Sequence, residues 1–149
     1  MYFEDFQIGT EYETPWRTIT AQEVDAFVEL SGLKLPMFLS DQGAARMGRS
    51  RRLVPGPMVL SLAMGLVFAA GLFAQVVAVT RFDGLEFLRP VYPSDTVGLR
   101  VRVLAARPDR KPGRGVVELG YRAFNQDQEL VMRAKGTYLF RRRPGGARG

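Results

Sequence analysis

The stretch Leu53–Thr80, LVPGPMVLSLAMGLVFAAGLFAQVVAVT, carries no charged side chain, in a chain of 149 residues with 21 lysines and arginines. Its reading decides the fold. About 20 apolar residues suffice to cross a bilayer, so a membrane span has to be weighed first. Three features favour a buried element of a soluble core. Pro57 suits the first turn of a helix. Gly65, Gly71, Ser61 and Gln75 dilute the apolar density. Val76-Val77-Ala78-Val79-Thr80 is rich in β-branched residues and reads as a strand. The pattern predicts a helix over Pro57–Phe73 that runs directly into a strand, and no membrane association.

Upstream, Thr20-Ala21-Gln22-Glu23 is a capping box. Val24, Phe27, Val28 and Leu30 follow at helical spacing, and Gly32 is placed to end that helix. A second, short helix is expected from Ser40 as N-cap to Gly48. Downstream the period changes to two. Val97, Leu99, Val101 and Val103 alternate with polar or small residues. Leu119, Tyr121 and Ala123 do the same, as do Leu130, Met132, Ala134 and Tyr138. These segments predict half-buried antiparallel strands, with Asn125–Gln128 as a hairpin turn. One long apolar helix and about four strands make an α+β fold, a curved antiparallel sheet wrapped around a central helix. A single sheet covers one side of such a helix, so flanking helices or a second subunit must cover the rest. A dimer is expected.

Composition narrows the chemistry. The acidic, aromatic start Met1–Phe6 lacks the pattern of a secretory leader, and there is no cysteine for disulfides or thiolate zinc, so a cytoplasmic protein is expected. The chain also has no histidine, which removes the commonest general base near neutral pH and the commonest metal ligand. No metal or cofactor is expected. The net charge of +6 gathers in Arg46–Arg52, in Arg107–Arg114 and in Arg141–Arg143. No nucleic-acid-binding motif accompanies these groups, and solvated surface is the first reading. The second is that Arg49, Arg51 and Arg52 steer the phosphates of a small molecule.

Phe87-Leu88-Arg89-Pro90-Val91-Tyr92-Pro93-Ser94-Asp95-Thr96, following the long helix, resembles the corresponding segment of the MaoC-like hot-dog proteins. That family includes (R)-specific enoyl-CoA hydratases and 3-hydroxyacyl thioester dehydratases. Phe3–Gly9 is similar to the family's usual opening, and the likeness runs from about residue 2 to 141. The resemblance implies one hot-dog domain over residues 1–141, a flexible basic Gly-rich tail over 142–149, and an acyl-CoA or acyl-carrier-protein thioester as ligand.

Active hydratases of the family carry Ser-Gly-Asp-x-Asn-Pro-x-His after the first helix. Here the stretch is Ser31-Gly32-Leu33-Lys34-Leu35-Pro36-Met37-Phe38. Leu33 stands at the aspartate, Leu35 at the asparagine and Phe38 at the histidine. Pro55-Gly56 stands where the family often has His-Gly. In the family, the Asp and His activate the water that adds to the enoyl thioester. A backbone N–H at the start of the central helix polarises the carbonyl. One positioned acid or base contributes about 10²–10⁴ in rate, so losing both removes the standard mechanism.

Asp41 is the substitute base to weigh, against its plainer role in the first turn of the short helix. Lys34, Ser61 and Asp95 read as a loop charge, a core hydroxyl and a turn-fixing residue. Leu33, Leu35, Phe38, Val54, Pro55, Gly56 and Met58 are the candidates for substrate contact, with plain core or dimer packing as the other reading of the first three. The expectation is a family member with a degenerate site: a thioester binder, or the non-catalytic half of a pair whose catalytically intact hot-dog partner supplies Asp and His. The alternative is an active lyase, a hydratase or dehydratase, with a relocated acid–base site. A hot-dog thioesterase is less favoured, because it needs a carboxylate on the central helix.

Overall fold

The computed structural model describes residues 1–145. After a single 3-10 turn at Phe3–Asp5 come β1 (Glu11–Glu13) and β2 (Arg17–Thr18). Four helices follow: α1 (Ala21–Ser31), α2 (Pro36–Leu39), α3 (Asp41–Arg46) and α4 (Gly56–Ala69). The long strands are β3 (Val76–Phe87), β4 (Thr96–Pro108), β5 (Arg114–Phe124) and β6 (Leu130–Arg141). They form one antiparallel sheet in the order β1-β4-β5-β6-β3, with β2 pairing separately on β4.

Local chemistry accounts for the helices. The Thr20 hydroxyl accepts from the Glu23 N–H at 3.1 Å, and the Glu23 carboxylate accepts from the Thr20 N–H at 3.0 Å. Gly32, at φ 75°, closes α1 in the left-handed conformation that costs glycine nothing. Ser40 caps α3 as expected, its Oγ accepting from the Gly43 N–H at 2.9 Å. The four-residue α2 is a finding beyond the sequence reading. It rests on Gly43, where a β-carbon would lie 2.2 Å from the Pro36 carbonyl oxygen.

The central helix is shorter than expected. It ends at Ala69, because Gly71 takes φ 82° and turns the chain, so Leu72 and Phe73 enter the core from a turn. The strand after it is longer than expected, continuing from Thr80 to Phe87.

Inward residues of the sheet pack against α4. Val97, Leu99, Val101, Val103, Leu119, Tyr121, Met132 and Phe140 meet Met58, Val59, Ala63, Leu66 and Val67 in one buried cluster. The two-residue alternation read from the sequence therefore names the sheet's inner face. Tyr138 packs by folding back along its own strand over Gly136, which brings its hydroxyl to within 2.7 Å of the Tyr121 hydroxyl. Burial pushes the Tyr138 hydroxyl's pKa up to about 12, partly offset by the Tyr121 hydrogen bond. Burial raises Tyr121 as well, aided by Tyr138. Both phenols stay protonated near neutral pH.

Cover is incomplete on α4 and on the edge strand β3. On α4, Ser61, Gly65 and Phe68 face outward, Phe68 with 65% of its surface exposed. Edge strand β3 exposes Val77, Val79, Phe82, Leu85 and Phe87. Among the described residues no helix is long and apolar enough to cross a membrane.

The start of the expected tail is held in place. Arg142 Nε donates to Glu4 Oε1 at 3.0 Å, and Arg143 pairs with Asp5. Residues 146–149 of that expected tail lie outside the described residues.

Candidate functional site

A cavity of about 500 Å³ opens at the N-terminus of α4. Met37 and Phe38 of α2 form one wall. The segment between α3 and α4 adds Leu53 and Val54, and α4 itself adds Gly56 and Val59. The far side comes from Phe87 at the end of β3 and from the residues up to Val91. Two backbone bonds fix these walls: Leu53 N–H donates to the Met37 carbonyl at 2.9 Å, and Val54 N–H to the Val91 carbonyl at 2.7 Å. As the first residue of α4, Gly56 has an N–H with no acceptor inside the helix. Phe87 packs over it, with a ring carbon 2.9 Å from where a Gly56 β-carbon would stand.

Of the seven residues read from the sequence as substrate contacts, Phe38, Val54 and Gly56 line this cavity. Leu33 packs half-buried against the core, and Leu35 is exposed at the N-cap of α2. Pro55 is buried at the N-cap of α4. Met58 turns instead to a separate depression beside Phe27 and Leu30 of α1. The difference has a helical cause: Gly56 and Val59 are three apart and share a face, whereas Met58 is rotated away from it.

The three arginines also separate. Arg49 reaches the cavity and has no carboxylate within ion-pair distance among the described residues. Arg51 stacks on Tyr92, its guanidinium carbon 3.8 Å from the ring centroid. Arg52 is bonded internally. Its side chain is only 12% exposed, its Nε donates to the Phe38 carbonyl at 2.8 Å, and its Nη2 pairs with Asp25. Sequence reasoning passed over Arg89, which lines the cavity and pairs with Glu129 at 2.8 Å. Its position just ahead of Pro90, at the end of a strand running to the helix N-terminus, is the signal that could have found it.

Asp41 lies outside the cavity, in a depression with Ser40, Arg51 and Pro93, where its Oδ1 accepts from the Arg52 N–H at 2.9 Å. Asp95 fixes the turn before β4, accepting from the Tyr92 N–H at 2.9 Å and from Gln126 Nε2 at 3.0 Å. Ser61 donates to the Pro57 carbonyl at 2.9 Å, the bond of a satisfied helix hydroxyl. Lys34 is a solvated loop charge near Glu29. Among the described residues no cluster of three or more His, Cys, Asp or Glu is placed to hold a metal ion.

Comparison with known proteins agrees with this architecture. Residues 5–123 match the model of the MaoC like domain. The chain is 35% identical over 100 residues to protein MaoC of Klebsiella aerogenes, covering 67% of this chain and 30% of that protein. It is 30% identical over 123 residues to the 3-hydroxybutyryl-CoA dehydratase of Methylorubrum extorquens, covering 76% of this chain and 71% of the relative. A Mycobacterium tuberculosis protein with a double hot-dog fold superposes with a TM-score of 0.85 at 27% identity, over all of this chain and 46% of that one. The chain thus spans less than half the length of protein MaoC and of the double hot-dog protein. With the helix at the centre, the sheet around it and the match over most of its length, the chain belongs to the MaoC-like family and has the hot-dog fold.

Proposed function

We propose that this chain binds an acyl thioester, carried on CoA or on a carrier protein, in the cavity at the N-terminus of α4, and that its own site no longer performs hydration or dehydration. One observation carries the reading. Among the described residues the cavity walls are apolar residues, Gly56 and two arginines, with no carboxylate or imidazole able to accept a proton near neutral pH. Phe38 occupies the wall where the family resemblance places the catalytic histidine. What remains is a slot for an apolar acyl group, with the free N–H at the start of α4 as a hydrogen-bond donor for a thioester carbonyl. The placement of Asp41 outside the cavity counts against a relocated base.

Such a chain serves as the binding half of a pair, joined to a second copy or to a catalytically intact hot-dog subunit. The exposed apolar residues of β3 and α4 support pairing, since an unprotected apolar edge is a ready template for another strand. Hydration of crotonyl-CoA, followed by loss of enoyl absorbance, tests the reading alongside calorimetric titration with butyryl-CoA. The expected result is binding without turnover by the chain alone. Turnover by the chain alone that disappears in Asp41→Asn would overturn it.

A further inference from the structure

The sheet's outer face, turned away from α4, carries charge in an ordered pattern. Strand register lines up two rows across it. From β1 to β3 one row reads Glu13, Arg100, Arg122, Arg133 and Glu86, and the next reads Glu11, Arg102, Gly120, Lys135 and Asp83. In both rows the acids stand on the outer strands and the cations on β4, β5 and β6. Like charges directly opposite one another destabilise a sheet, so three arginines abreast work against the fold. The flanking acids offset part of this: Arg122, Arg133 and Arg100 reach Glu11, Glu86 and Glu13 at 2.9, 3.1 and 3.6 Å. Arg102 meets no carboxylate within ion-pair distance among the described residues. The second row holds a hollow of about 400 Å³ at Gly120, walled by Leu104 and ringed by Arg102, Arg122, Arg133 and Lys135.

Aromatic rings border the first row. Trp16, 46% exposed, lies against Gly98, where a β-carbon would stand 2.5 Å from its ring. Phe124 stands opposite Gly98 on β5, with the Arg100 and Arg122 guanidinium carbons 5.2 and 5.9 Å from its ring centroid.

We infer that this face binds single-stranded nucleic acid, with phosphates along the rows of cations and a base stacked on Trp16. The inference is independent of the thioester reading, since no residue lines both the hollow and the α4 cavity. A basic track beside an exposed aromatic ring is the arrangement that holds single strands without regard to sequence. Width favours one strand over a duplex. The cations span three strands, about 10 Å across. A duplex would lay its second backbone over Glu11, Glu13, Asp83 and Glu86. A second copy of this chain fits poorly, because two-fold pairing of the face sets arginine against arginine. None of the five cations belongs to the three arginine runs that the sequence presents as solvated surface. Strand pairing alone brings them together.

Trp16 is the single tryptophan of the chain, so its fluorescence reports the site directly. The full chain is titrated with a thymidine oligomer of about 12 nucleotides, a duplex of equal length, and inorganic polyphosphate, which has the charge without the bases. The single strand should quench Trp16 and bind most tightly, with a log–log salt slope of about −2 for three phosphates. Arg102→Gln and Arg133→Gln, both at exposed positions, should each weaken it about fivefold at 0.1 M salt and flatten the slope by about 0.7. Arg110→Gln, in the loop between β4 and β5, should change neither quantity. A uridine oligomer run in parallel tells RNA from DNA, and quenching by either supports the site. Absence of quenching by both oligomers overturns the inference. So does binding of the duplex or of polyphosphate as tightly as the single strand, or an equal loss of affinity in Arg110→Gln, which would trace the attraction to diffuse charge.

Discussion

The Phe87 ring lies over Gly56 so closely that a β-carbon on Gly56 would stand 2.9 Å from it. One contact thus joins the end of the exposed edge strand to the first residue of the central helix. The ring is 48% exposed, so it has room to swing aside. Gly56→Ala should therefore fold, with stability within about 1 kcal/mol of wild type. It should bind thioester ligands several-fold more weakly, because the methyl group and the displaced ring both enter the cavity. Thermal melting and calorimetric titration check the two halves of this prediction separately.

Gly136 presents the opposite case. A β-carbon there would lie 2.5 Å from the Tyr138 hydroxyl and 2.6 Å from its ring. Phe73, Phe82, Phe140 and Tyr121 surround that ring, so it has nowhere to go. Gly136→Ala should cost about 1–3 kcal/mol or more through overpacking. Urea denaturation measures the loss, and shortening the ring with Tyr138→Leu should recover part of it.

Arg52 links three helices through its bonds to Asp25, the Phe38 carbonyl and, by its backbone N–H, Asp41. Asp25 is well exposed, so the ion pair itself contributes little. The part-buried bond to the Phe38 carbonyl dominates. Arg52→Ala should destabilise the chain by about 1–3 kcal/mol, and Asp25→Asn by much less; chemical denaturation of the two variants makes the comparison.

Acid should loosen the start of α1. The Thr20 N–H and hydroxyl, together with Arg17, hold the Glu23 carboxyl below its ordinary 4.5. A depressed carboxyl contributes stability that is present above pH 4.5 and is lost as pH falls through the folded value. Wild type should therefore exceed Glu23→Gln in stability near neutral pH, and the gap should shrink once the pH drops below 4.5. Thr20→Ala should cost about 1 kcal/mol near neutral pH. Denaturation midpoints measured across an acid series decide it.

A lysine on the open edge should prevent pairing. Val79→Lys places a charge among Val77, Phe82 and Leu85 on β3. Any dimer formed along that edge should dissociate at least tenfold more readily, which sedimentation equilibrium reports.

What the sequence made legible follows the range of the forces involved. The Thr20–Glu23 box, the Gly32 stop and the Ser40 cap are contacts within a few residues, and they stand where the sequence placed them. The period-two runs named Val101, Leu119 and Tyr121 as core because strand geometry forces that alternation. Gly71 could have ended the central helix on paper, yet uninterrupted hydrophobicity carried the expectation on to Phe73. The reach of β3 past Thr80 was hidden because an edge strand exposed on both faces has no alternation to show. Phe38, Val54 and Gly56, marked through family likeness, line the cavity, whereas Arg89 lines it without having been marked. Its place in the cavity depends on where β3 delivers the chain, which local spacing does not encode. The internal bond of Arg52 was hidden for a similar reason, since the carbonyl that holds it lies 14 residues away in the sequence.

The register of β3 against β6 breaks three times, between Val76 and Ala78, between Val79 and Arg81, and between Asp83 and Glu86. Each break bends the edge and strengthens its twist. A flat, regular edge can recruit strand after strand without limit. A strand pairing with this one would have to be crooked in the same places, which disfavours regular growth along the edge. The irregularities that make β3 look imperfect are thus a safeguard of the kind that lets an apolar border stay open without templating a fibre.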